Sequence, residues 1–178
     1  LSLLSPSKLT SLHDFTALGF DGVDDWVRVP DSPSLDVIGS FTLEAWVYTD
    51  VAGQSKLIAG KSGGYGLVLV QGKIKFVIWA NDWISNVALP TGQWVHVAIV
   101  YDSAAGQRYI YINGALQAQQ ATSGAVPTSN YAFSIAAWDS ATAENYFNGK
   151  VSEVRIWNVA RTAQQIADWK DRTLAGDE

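Results

Sequence analysis

The chain has 178 residues, 48% of them apolar, enough for one domain with a sizeable core. Lysine plus arginine number 12 against 17 acidic residues, a net charge of −5 with no basic run, which argues against nucleic acid as a partner. Cysteine is absent, so disulfides, zinc thiolate sites and thiol nucleophiles are excluded, and no apolar stretch approaches the roughly 20 residues of a membrane-spanning helix.

In chain order, residues 1–15 read as a poorly specified arm and residues 16–178 as a single domain. Short strands are expected over 17–20 and 26–29. The first confident strand follows, where Phe41, Leu43, Ala45 and Val47 alternate with Thr42, Glu44, Trp46 and Tyr48. Further strands are expected over 57–59, 65–70, 74–79 and 84–89. Val95, Val97, Ile99 and Tyr101 repeat the period-2 pattern, and shorter runs at 109–112, 115–118, 131–136 and 150–157 complete the set. Gln71-Gly72 and Asn113-Gly114 are two-residue connections suited to hairpin turns. Only one helix is expected, after Thr162, with Gln165 completing a capping box and Ile166 and Trp169 on one face. Many short strands without intervening helices predict an all-β, antiparallel sandwich or barrel with a short C-terminal helix.

Two clusters suggest a ligand site. Trp79, Asn81, Asp82 and Trp83 fall in one stretch, and Trp138 with Asp139 offers the same pairing of indole and polar edge. Sugars have apolar C–H faces that stack on an indole and hydroxyl edges that hydrogen-bond to Asn and Asp. Tyr65, after Gly63-Gly64, is a third candidate platform. The same aromatics are equally suited to filling a core. Trp46, Trp94 and Trp157 lie in regular strands and read as structural.

Asp21, Asp24 and Asp25 cluster about a probable turn, and carboxylates so grouped suit a hard cation such as Ca²⁺ or a hydrogen-bonded Asx turn. Catalytic patterns are missing. A glycosidase needs two carboxyl groups flanking the bond, and no E-x-D-x-x-E strand cluster occurs. No G-x-S-x-G elbow or phosphate-binding P-loop is present, and Glu44 reads as a buried partner of Arg155 or His96.

Several ordered blocks carry a family resemblance: 18–27, then 30–35, Phe41-Thr42-Leu43-Glu44-Ala45-Trp46-Val47, Trp94-Val95-His96-Val97-Ala98, Tyr111-Ile112-Asn113-Gly114 and 149–158. Together with Ala160-Arg161-Thr162 and Ile166, the chain resembles laminin-G-like, concanavalin A-like jelly-roll domains. The resemblance implies an antiparallel β-sandwich jelly roll of two packed sheets, a shape shared by carbohydrate-binding and protein-binding modules; with the paired carboxylates missing, a non-catalytic module that binds a carbohydrate, or else a surface protein, is expected. It also implies an extracellular or cell-surface setting, membership of a longer chain and a structural calcium near Asp21. Ser152 stands where many such domains place an Asp, removing one charged ligand.

Overall fold

The computed structural model describes residues 17–139, 146–172 and 174. The arm expected over 1–15 lies outside these residues. Among them, twelve strands run in chain order: β1 (Leu18–Asp21), β2 (Val27–Val29), β3 (Phe41–Tyr48), β4 (Leu57–Lys61), β5 (Tyr65–Val70) and β6 (Lys73–Ile78). They continue as β7 (Trp83–Ala88), β8 (Val95–Asp102), β9 (Gln107–Ile112), β10 (Ala115–Ala121), β11 (Phe133–Ile135) and β12 (Asn148–Trp157), followed by helix α1 (Ala163–Trp169). Sheet I has the order β1-β12-β3-β8-β9-β10 and sheet II the order β2-β11-β4-β5-β6-β7, all pairings antiparallel.

Period-2 alternation places the core. Phe41, Leu43, Ala45 and Val47 of sheet I meet Leu67, Leu69, Ile74 and Phe76 of sheet II in one cluster between the sheets. The two expected hairpins form where Gln71-Gly72 and Asn113-Gly114 both take positive φ, as a type I′ turn requires. The register of β5 with β6, Tyr65 opposite Ile78 through Val70 opposite Lys73, follows from the first of these turns.

The outward face of sheet I is covered as well. Thr42 Oγ1 donates to the Val159 carbonyl, Trp46 Nε1 donates to the Lys170 carbonyl at 2.7 Å, and Arg155 Nη1 donates to the Trp169 carbonyl. Ile166 packs on Ala98, Val100 and Tyr111. The helix begins as its capping box requires, with Thr162 Oγ1 accepting from Gln165 N–H and Gln165 Oε1 accepting from Thr162 N–H. β3 is therefore buried on both faces for all but its last residue. That turns attention to the outward face of sheet II and to the sandwich edges.

Candidate functional site

Strand phase puts Val77, Val68 and Leu57 on the outward face of sheet II, where they form a small apolar cluster with Val70 and Trp138. Cross-strand pairing lines up Arg28, Ser134, Gly60, Gly66 and Val77 as one row across β2, β11, β4, β5 and β6. Two glycines in the middle of that row leave a gap, and the Trp138 indole fills it. A Cβ at Gly66 would stand 2.9 Å from Trp138 Cη2, and one at Gly60 3.3 Å from it. The ring thus lies close over bare backbone, held by its apolar neighbours and half-buried.

Asp139 fixes the polar edge beside this ring. Its Oδ2 accepts from Ala132 N–H at 2.9 Å, and its Oδ1 accepts from Arg28 Nε at 3.1 Å. The Arg28 side chain is 53% exposed, so its remaining donors face solvent. One residue beyond β6 and two from Val77, Trp79 is 58% exposed, and its backbone N–H donates to the Gly64 carbonyl. Tyr131, also exposed, borders the same turn at Gly63. A second ion pair, Lys75 Nζ to Asp82 Oδ2 at 2.6 Å, stands on the opposite flank of Val77. The assembly is an aromatic floor with charged, hydrogen-bonding edges.

The other expected site residues distribute differently. The stretch 79–83 does not converge on one site. Asn81 turns to sheet I, where its Nδ2 donates to Thr122 Oγ1 and the Ser123 carbonyl and its carbonyl accepts from Arg108. Trp83 packs against the main core and lines a groove at the sandwich edge. Tyr65 is no platform: it is 1% exposed, its ring packs against Phe41 and Phe133, and its hydroxyl donates to the Leu35 carbonyl. Burial, with Asp36 nearby, pushes its phenol well above the usual range. Period 2 explains the correction, because Tyr65 shares the inward phase of Leu67 and Leu69.

The acidic cluster folds as an Asx turn. Asp21 Oδ1 accepts from Val23 N–H at 2.7 Å, and Asp25 Oδ2 accepts from Asp21 N–H at 3.3 Å. Asp21 and Asp25 border a shallow depression of about 390 Å³ together with Asp50 and the cationic Lys150, whereas Asp24 does not line it. Among the described residues no group of three or more acidic or histidine side chains is arranged to hold a metal ion. Ser152 is buried.

The structure buries two ionic centres, of which sequence reasoning anticipated the one at Glu44 and missed the one at Lys61. Lys61, 1% exposed, donates to Asp31 Oδ1 at 2.6 Å and Asp36 Oδ1 at 2.5 Å. Burial alone would lower its pKa, but the two carboxylates outweigh burial and raise it. Glu44, also 1% exposed, accepts from Trp157 Nε1 at 3.0 Å, with Arg155 at 3.8 Å and His96 at 3.7 Å. Burial raises the Glu44 pKa, while Trp157, Arg155 and Arg161 oppose the shift. Lys61 shares the inward phase of Ala59, which was the available signal, whereas Glu44 has the outward phase of Thr42 and Trp46 and is buried by the covering of that face.

Residues 21–167 match the model of the Laminin_G_3 family, described as the concanavalin A-like lectin/glucanases superfamily, and the chain belongs to that family. The fold recurs in a Bacteroides ovatus protein provisionally described as carbohydrate binding, 27% identical with a TM-score of 0.73. That match covers 85% of this chain and 46% of the Bacteroides protein, so the chain spans about half of its relative's length. Domain 4 of AbnA, a GH43 extracellular arabinanase from Geobacillus stearothermophilus solved with arabinotriose, is 24% identical with a TM-score of 0.68, covering 85% and 75% of the two chains. A heptameric SAP-like pentraxin of Limulus polyphemus shares the fold at 15% identity and TM-score 0.62, covering 85% and 80%. No curated protein sequence matches the chain significantly.

Proposed function

We propose that this chain is a non-catalytic carbohydrate-binding module that holds a glycan on the outward face of sheet II, across Trp138 and Trp79. The observation that supports this most is the Trp138 indole over Gly60 and Gly66, with the Asp139–Arg28 pair at its edge. A ring fixed by packing costs little entropy to use, its exposed face suits the C–H face of a sugar, and Asp and Arg beside it suit hydroxyls. Membership of a lectin/glucanase superfamily and likeness to a protein described as carbohydrate binding point the same way. Catalysis is left out of the reading because Glu44, the acid on a central strand, is sealed beneath α1 and its neighbours.

Such a module would serve a longer protein outside the cell or on its surface, where polymeric glycans are met. Among the described residues no helix is long and apolar enough to cross a membrane. Calcium is the separable part of the reading. An ion at Asp21, Asp24 and Asp25 would use carboxylate oxygens other than the two that accept backbone amides, and the charge of Lys150 would oppose it. Melting with calcium and with chelator tests it: a higher Tm in calcium, lost in Asp21→Asn, would establish the ion, and identical curves would remove it.

The decisive experiment is a glycan array with wild type, Trp138→Ala and Trp79→Ala. Each substitution should weaken binding tenfold or more, about 1.4 kcal/mol. Binding unchanged in both would refute the site. No glycan signal from wild type would transfer the exposed Trp79 and Tyr131 to a protein interface, the alternative such anchors support.

A further inference from the structure

The sandwich has a second feature suited to a ligand, away from the Trp138 face. Sheet I ends at β10 and sheet II at β7, and these two edge strands approach each other along one side of the sandwich. Between them runs a groove of about 550 Å³, within the range of small-ligand sites, roughly 300–1,000 Å³. Trp83, Asn86 and Pro90 come from the sheet II side, and Ile112, Gln117 and Ala118 from the sheet I side.

Two properties of this groove are unusual for an edge. Exposed edge strands are ordinarily guarded by charge. Here β7 (WISNVA) and β10 (ALQAQQA) contain no charged residue at all, although six of the seven β10 residues are exposed. The indole of Trp83 is also braced from inside. Arg108, 3% exposed and not lining the groove, holds its guanidinium 5.4 Å from the Trp83 ring centre and 6.0 Å from that of Phe76. Arg108 is itself fixed by donation to the Asn81 carbonyl and, through Nε and Nη2, to Gln120 Oε1. The Asn81 side chain then ties the same corner to Thr122. The stretch 79–83 therefore serves the groove indirectly: Asn81 anchors Arg108, and Arg108 backs Trp83.

We infer that this groove is a second binding site, which takes an oligosaccharide. The inference rests on the reading of the chain as a carbohydrate-binding module but not on its Trp138 site. Trp83 supplies an immobilised apolar face. Asn86 and Gln117, on facing walls, supply carboxamides that both donate and accept, as sugar hydroxyls do. Lys73 Nζ, 3.5 Å from Asn86 Oδ1, adds a further donor at the same wall. Two sites on one module would raise avidity for a polymer well beyond either site alone.

The test is site-resolved NMR on the ¹⁵N-labelled protein, titrated with arabinotriose, xylotriose, cellotriose and trigalacturonate. We expect the Trp83 indole N–H and the Asn86 and Gln117 side-chain amide signals to shift saturably with at least one of these trisaccharides. Gln117→Ala, at an exposed position, should weaken that groove response at least fivefold and leave the Trp138 response unchanged. Shifts at Trp138 and Trp79 alone would overturn the groove site while leaving the proposed function standing. Silence at every site would overturn both. Trp83 shifts that follow protein concentration without sugar would assign the groove to a second copy of this chain instead.

Discussion

Single residues set the geometry of the Trp138 face, and Gly66 is the one that tests it most cleanly. A methyl group there would stand 2.9 Å from Trp138 Cη2, and its other close neighbours lie at 3.4 Å or beyond. Gly66→Ala should therefore tilt the indole without deleting it, weakening glycan binding about fivefold or more, by array or calorimetry, with Tm little changed. Gly60 offers no such test, since a Cβ there would meet backbone at 2.7 Å. Ala80 gives an independent prediction about strain. It turns the β6–β7 hairpin at φ 67° although it carries a Cβ, which costs a non-glycine residue roughly 1–2 kcal/mol. Ala80→Gly should stabilise the fold by about 0.5–1 kcal/mol in urea unfolding, after the entropic cost of glycine is subtracted.

At the scale of elements, α1 matters more than its seven residues suggest. With the residues flanking it, the helix closes the outward face of sheet I over Glu44, Trp46 and Arg155. Arg161 strengthens this closure, its guanidinium 3.8 Å from the Trp157 ring centre and 5.7 Å from that of Trp169. Thr162→Ala removes the cap and should cost about 1 kcal/mol by chemical denaturation. Amide exchange should quicken at Lys170, whose N–H donates to the Ile166 carbonyl. Glycan binding on sheet II should not change. The capping box and the apolar pair Ile166 and Trp169 were legible in the sequence because a helix terminus is a local device. The surface that the helix covers was not, because no local pattern states which sheet face it meets.

For the whole molecule, the pH dependence of stability follows from Glu44. Its folded pKa lies above its unfolded value of 4.5, so the folded protein holds this proton more tightly. The associated stability is fully present below about pH 4.5 and is lost as pH rises through the folded pKa. Urea unfolding from pH 4 upward should show that downward contribution in the wild type and a flatter profile in Glu44→Gln. Identical slopes would mean that Glu44 is not desolvated as described.

Periodicity and turn chemistry by themselves determined the strands, the two glycine hairpins, the capped helix and the all-β sandwich, because alternation and turn propensity act within a few residues. The same phase rule governs Tyr65, which was expected as a ligand platform and which the structure places inside. Which aromatics share a site was decided by tertiary structure. Trp79, Asn81, Asp82 and Trp83 are near neighbours in the chain, yet a hairpin turn sends Trp79 and Asp82 to the face of sheet II, Asn81 toward sheet I and Trp83 to an edge groove. Trp138 meets Gly60 and Gly66 across more than seventy residues of chain. Gln117 meets Trp83 only because two sheets end side by side. Such meetings depend on how the strands are ordered, and strand order is set by the burial of the whole chain rather than by any segment of it.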